Sequence, residues 1–379
     1  MESIIRNAKL RMENEEKGAL AVKTLRSTDK TKNVDAELEK LLENRRAAIK
    51  VIGVGGAGNN SITRMSEVGI KGAELIAVNT DAADLLCTQC DVKILIGREI
   101  SQGLGAGADP KVGREAAKEQ EQELKKALKG ADLVFITAGL GGGTGSGAAP
   151  IIAELAKKQG ILTVAVVTLP FSMEGKVRME NAMEALERLE AVTDTIIVIP
   201  NDKLLEIAPD LPLHVSFKVA DEILTNAVKG ITELITKSGL INLDFADIKA
   251  VMKEGGVAMI GVGEDDSENR AQMAVEKAIN NPLLDVDIAG ASGALINVTG
   301  GTNMTLDEAK KVVETISKML SEDAKIIWGA QIEPDMKNSI RAMLIVTGVT
   351  SPQIYGKDKL ILEERHSEYE DELGIEYLK

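Results

Sequence analysis

Apolar and polar positions switch between two periods along most of the chain, and the switches mark out its elements. Ile49–Val54 is a short apolar run ending in glycines, the pattern of a buried parallel strand. Helical spacing over Asn59–Glu67 follows. Ala73–Val78 and Lys93–Ile96 predict strands, and Pro110 to Leu128 predicts one long charged helix. Ala131–Ala138 reads as a strand running into glycines, then Ala149–Gln159 as a helix. Leu162–Leu169 and Thr195–Pro200 predict strands flanking a helix over Val177–Glu190. Strands alternating with helices predict a parallel sheet covered on both faces, which takes ligands at the carboxyl ends of its strands.

The longest helical pattern spans His214–Lys237, with Val219, Ile223, Ala227, Ile231, Leu234 and Ile235 along one face and Gly239 as its stop. Such a helix is expected to bridge two domains. Beyond Gly256 the pattern changes. Val257–Val262, Ala294–Val298, Ile326–Ile332 and Arg341–Val346 read as strands, and Ser267–Asn280 and Thr305–Leu320 as helices, a smaller α+β domain. The predicted divisions are a charged extension over 1–48 with a helix from Asp35 to Ala48, a parallel-sheet α/β domain over 49–213, and a central helix and loop over 214–250. The α+β domain over 251–349 and a flexible acidic tail over 350–379 complete the chain.

Composition narrows the class. A chain of 379 residues holds about two domains. A net charge of −14 argues against nucleic acid and against a general anionic membrane surface, since both need clustered Lys and Arg. The cysteines are Cys87 and Cys90 alone, so no disulfide framework exists and a reducing compartment fits. With His214 and His366 the only histidines, Cys87-x-x-Cys90 cannot complete a four-ligand zinc site, and no metal-ligating set is expected. The charged N-terminus predicts no secretory leader, and no apolar run nears the roughly 18 to 20 residues that cross a bilayer.

Three glycine loops carry the candidate chemistry. The first, Gly53-Val54-Gly55-Gly56-Ala57-Gly58-Asn59-Asn60, follows a strand and opens a helix. Glycines let backbone N–H groups approach phosphate oxygens, and a helix N-terminus favours negative charge. The motif fits a dinucleotide fingerprint, with Asp81 as a ribose-binding acid, so a nicotinamide oxidoreductase is one reading. The second, Gly139-Leu140-Gly141-Gly142-Gly143-Thr144-Gly145-Ser146-Gly147, offers successive N–H groups and two hydroxyls to a di- or triphosphate. No Lys follows it, so it is not a Walker A loop. Gly103 to Ala108, with Gly105, Ala106 and Gly107 at its centre, has the same character.

The run G-G-G-T-G-S-G, with Asn79-Thr80-Asp81, Met173 to Arg178, Pro200 to Lys203 and Asn242 to Asp247, resembles the tubulin/FtsZ family over residues 49 to 349. The resemblance implies an α/β fold: a Rossmann-like GTPase domain with a parallel sheet, a long central helix and a second, smaller α+β domain. It implies GTP and GDP as ligands, Mg²⁺ with a monovalent cation such as K⁺, and head-to-tail filaments at the cytoplasmic midcell division site.

Residue by residue, the resemblance makes Gly55, Gly56, Ala57, Gly58, Asn59, Asp81, Gly105, Ala106, Gly107, Gly141, Gly142, Gly143, Thr144 and Gly145 GTP-binding. Glu174 would hold the ribose with Arg178 nearby, where spacing alone reads as a surface ion pair worth about 0.5 kcal/mol. Asn201 and Asp221, rather than Glu222, would read guanine. Asn242, Asp244 and Asp247 would enter the next subunit's pocket and orient the attacking water; in isolation Asp244 reads as a helix cap. The end Leu373-Gly374-Ile375-Glu376-Tyr377-Leu378 is similar to archaeal rather than bacterial members and would bind a membrane tether or regulatory protein. A nucleotide-binding regulator that does not assemble is the remaining alternative.

Overall fold

The computed structural model describes residues 47–203, 213–236, 240, 244–279, 288 and 290–349. The expected helix over Asp35 to Ala48, the stop at Gly239, Asn242 and the acidic tail lie outside the described residues.

Ten strands join one sheet in the order β3-β2-β1-β4-β5-β6-β7-β10-β8-β9. They are β1 (Ile49–Val54), β2 (Ala73–Asn79), β3 (Val92–Leu95), β4 (Leu133–Gly139), β5 (Leu162–Leu169), β6 (Thr195–Pro200), β7 (Gly256–Asp265), β8 (Gly293–Gly300), β9 (Lys325–Ile332) and β10 (Ile340–Thr347). The first six are mutually parallel. A short parallel pairing, Thr195↔Gly256 to Ile197↔Ala258, carries the sheet from β6 into β7, so the C-terminal α+β layer continues the nucleotide sheet. β10 runs antiparallel between β7 and β8.

Among the described residues ten α-helices cover the two faces: α1 (Gly55–Val68), α2 (Ala82–Cys87), α3 (Pro110–Glu119), α4 (Glu121–Leu128), α5 (Gly143–Lys158), α6 (Lys176–Val192), α7 (Leu213–Thr236), α8 (Phe245–Met252), α9 (Arg270–Ile279) and α10 (Leu306–Ser317). The strands divide by parity. In β5, Leu162, Val164 and Val166 face one core with Ile62 of α1, Ala227 and Ile231 of α7 and Met252 of α8. Ala165, Val167 and Leu169 face the other, with α3 to α6. Alternation buried on both sides is what a covered sheet requires.

Three expectations need correction. The charged helix breaks at Gln120, whose side-chain oxygen accepts from the Gly97 N–H at 2.5 Å, leaving α3 and α4. Both α1 and α5 start earlier than their apolar spacing indicates, because the glycine loops form their first turns. Close packing overrides glycine's poor helix propensity there: a Cβ on Gly147 would sit 2.2 Å from the Pro110 carbonyl oxygen.

α7 runs the height of the sheet. Asp221, a third of the way along, lies beside Ser61 of α1 at 2.9 Å. Thr236 at its end packs on Gly72, just ahead of β2, where a Cβ would meet the Thr236 methyl at 2.6 Å. From Asp221 to Thr236 the rise is about 22 Å at roughly 1.5 Å per residue. Gly230 midway faces Met343 of β10, so the helix packs on both parts of the sheet.

Candidate functional site

The carboxyl ends of β1, β4, β5 and β6 open into a cavity of about 520 Å³. Two helix starts, α1 at Gly55 and α5 at Gly143, line it, and neither has a side-chain N-cap. The uncapped first-turn N–H groups and both helix dipoles therefore favour an anion in the cavity. Glycine makes this convergence possible. Gly55 has a φ of 74°, and a Cβ there would stand 3.0 Å from the Gly145 nitrogen. Gly141, at φ 100°, donates its N–H to Ser146 Oγ at 2.8 Å and folds the loop onto its own helix. Thr144, which lines the cavity, has its hydroxyl 2.6 Å from that of buried Thr80.

One rim is built by the single turn Ser172–Glu174 and the start of α6. Glu174 Oε1 accepts from the Phe171 N–H at 2.8 Å, and its other oxygen accepts from Arg178. Ser172 donates to Asp202, which ties this turn to the end of β6. Asn201 and Asp221 also line the cavity. Among the described residues the side-chain oxygen of buried Asn201 has no hydrogen-bond partner, which leaves it open to a donor in the cavity. Burial pushes the Asp221 carboxyl up to about 6, against the opposing effect of the Ser61 hydroxyl bond. Its neighbour Glu222 turns away and pairs with Arg64 at 2.8 Å.

The cavity thus gathers Gly55, Gly56, Ala57, Gly142, Gly143, Thr144, Gly145, Glu174, Arg178, Asn201 and Asp221. Other candidates stand behind it. Gly58 lies against the Thr137 carbonyl, and Asn59 donates to Asp84 at 3.2 Å. Asp81 caps α2 through the Ala83 and Asp84 N–H groups. The Gly105 N–H bonds the Thr80 carbonyl at 3.2 Å, Ala106 packs under Gly143, and Gly107 adopts a φ of 57°. Asn60 and Leu140 of the glycine loops also line the cavity, as do Thr168, Pro170 and Leu224, which the sequence motifs do not single out. Strand-end position marks Thr168, and a three-residue step from Asp221 marks Leu224.

Asp244 and Asp247 do not line it. Asp244 caps α8: its Oδ1 accepts from the Asp247 N–H at 2.8 Å, and Asp247 returns a carboxylate oxygen to the Asp244 N–H at 3.3 Å. Thr195, the first residue of β6, donates to the Met252 carbonyl at the end of α8, at 2.5 Å. The helix therefore ends at the amino edge of the sheet, opposite the cavity. Among the described residues, no three His, Cys, Asp or Glu side chains gather as a metal cage. Cys87 is exposed, and Cys90 donates its thiol to the Val92 carbonyl at 3.2 Å.

A parallel sheet whose glycine-started helices converge on one cavity defines an α/β protein that binds a nucleoside phosphate. Residues 48–209 match the Tubulin/FtsZ family GTPase domain, and residues 256–350 match the FtsZ family C-terminal domain. The chain is 61% identical over 331 residues to cell division protein FtsZ 1 of Pyrococcus woesei, covering 87% of this chain and 90% of that one. It is likewise 61% identical to FtsZ 1 of Methanocaldococcus jannaschii, over 84% of this chain and 87% of that one. A solved empty FtsZ dimer from M. jannaschii superposes with a TM-score of 0.78 at 61% identity, over 83% of this chain and 92% of that one. The chain belongs to the FtsZ family of tubulin-like GTPases.

Proposed function

We propose that this chain binds GTP in the cavity, assembles head to tail with copies of itself, and hydrolyses GTP where Asp244 and Asp247 of one copy reach the cavity of the next. The observation that carries this reading is the separation of the two halves. The cradle sits at the carboxyl edge of the sheet, and the chain reaches the acids only after descending α7 to the amino edge. One folded copy cannot bring them together; two stacked copies can. The relative solved as a dimer supports self-association.

In this reading the phosphates lie on the N–H groups that start α1 and α5, with the Thr144 hydroxyl beside them. Gly105 to Gly107 close over the terminal phosphate. Gly58, Asn59, Asp81 and Gly141 hold the loops from behind. Glu174 takes a ribose hydroxyl, with Arg178 anchored to it. Guanine lies between Asn201 and Asp221, whose carboxylate accepts from the base's N1 and N2 groups, donors that adenine does not offer there. Asp244, Asp247 and Asn242 orient the attacking water, and hydrolysis proceeds by positioning and charge stabilisation. Mg²⁺ enters with the triphosphate as part of the substrate and offsets its charge, and K⁺ is the expected monovalent companion.

The nicotinamide reading loses its support, because Asp81 caps α2 and does not line the cavity. The proposed site of action is the cytoplasmic face of the midcell division site, with the tail beyond residue 350 binding a membrane anchor or regulatory protein. Among the described residues, no helix is long and apolar enough to cross a membrane. Sedimentation with simultaneous phosphate release tests the proposal. GTP with Mg²⁺ should move the protein to the pellet as phosphate appears, and turnover by protein that stays in the supernatant would overturn it.

A further inference from the structure

We propose that Thr80, which does not line the cavity, is a positioning residue that aims the Thr144 hydroxyl at the nucleotide phosphates and ties the Gly103–Gly107 loop to the same point. The inference rests on the reading of Thr144 as a phosphate donor.

Thr80 follows the last residue of β2 and is fully buried. Each of its polar groups is engaged. Its N–H donates to Asn79 Oδ1 at 2.8 Å. Its carbonyl accepts from the Gly105 N–H at 3.2 Å and from Ser101 Oγ at 3.3 Å. Its hydroxyl lies 2.6 Å from that of Thr144. A hydroxyl carries one proton. Once Thr144 gives its proton to a phosphate oxygen, the short hydroxyl pair persists only with Thr80 as the donor. Ligand binding thus sets the direction of the pair, and Thr80 holds the Thr144 rotamer in the donating orientation. The same residue's carbonyl anchors Gly105, and Ala106 packs under Gly143, so the second and third glycine loops share one buried fixed point.

The test uses the full chain and GDP, which separates binding from assembly, with guanosine as the ligand that lacks phosphates. Thr80→Val keeps the branched shape and removes the donor. It should weaken GDP about ten-fold, the loss expected for one buried hydroxyl bond, with guanosine affinity unchanged. Thr80→Ser should restore GDP binding. The double variant Thr80→Val/Thr144→Val should bind GDP no worse than Thr144→Val alone, because the two hydroxyls act as one unit. Normal GDP binding by Thr80→Val, beside a weakened Thr144→Val, would overturn the proposal. So would additive losses, or equal losses for GDP and guanosine, which mark a merely structural role. If Thr144→Val itself binds GDP normally, the phosphate reading of Thr144 fails and takes the proposal with it.

Discussion

The Ser61 hydroxyl on α1 lies 2.9 Å from the Asp221 carboxylate on α7 and joins the first glycine-loop helix to the central helix at the cavity wall. Burial raises the Asp221 carboxyl to about 6, so the folded chain holds this proton more tightly than the unfolded one. Stability of the ligand-free protein therefore falls as pH rises from the ordinary carboxylate range towards 6. Guanine needs the ionised form as an acceptor. GDP affinity should accordingly drop as pH falls through about 6. The terminal phosphate of GDP also titrates near this pH, at about 6, in every variant. Asp221→Asn should lose affinity at neutral pH and show only the phosphate inflection. Calorimetric titration of both proteins across this range checks it.

Gly145 touches the carbonyl of Gly139, where a Cβ would stand 2.5 Å from the oxygen. The listener on the other side is backbone that cannot step aside. Gly145→Ala should displace the start of α5 and weaken GDP by about ten-fold or more, the cost of overpacking by a methyl group. Fluorescent-nucleotide titration measures it.

Asp247→Ala should leave GDP affinity unchanged and lower GTP turnover by about 100-fold or more, the scale on which a positioned acid or base acts. Half of the α8 capping box is lost as well, while the N-cap Asp244 is kept. Asp247→Ala keeps an intact cavity, and Gly145→Ala keeps intact acids. Mixing the two should release phosphate faster than the sum of the two alone, as an intact cavity meets intact acids.

Arg270 is a buried staple of the C-terminal layer. It pairs with Glu308 of α10 at 2.7 Å and bonds Asn303 and the Asn338 carbonyl. This guanidinium holds the Glu308 carboxyl down at about 2. A depressed carboxylate stabilises the fold above its unfolded value, and that contribution is lost as pH falls from the ordinary glutamate range towards 2. Arg270→Ala removes the guanidinium from the partly exposed Glu308, which keeps its Thr305 bonds, and should cost about 1.5 to 3 kcal/mol, read by urea unfolding at pH 7.

Periodicity reached far into the fold. Leu162–Leu169 and Thr195–Pro200 are legible to the residue, because a strand buried on both faces is an unbroken apolar run bounded by turn residues. α2 and the first turns of α1 and α5 are not legible, since they are short or glycine-rich and tertiary packing overrides propensity there. Within the site, the glycine loops announce themselves by composition. The supporting bonds do not: Thr80 and Thr144 are 64 residues apart, and Ser61 and Asp221 are 160 apart. Only the sheet order brings such pairs together. Asp244 shows the reverse case, where local spacing gives a helix cap and only the chain's path down α7 reveals which edge of the molecule carries it.

The decisive measurement is phosphate release per molecule as the protein is diluted in excess GTP and Mg²⁺. A cavity completed by carboxylates from a neighbouring copy predicts a specific rate that falls steeply below a threshold concentration. A specific rate that stays constant on dilution would mean that one copy holds the whole site, and would contradict the account.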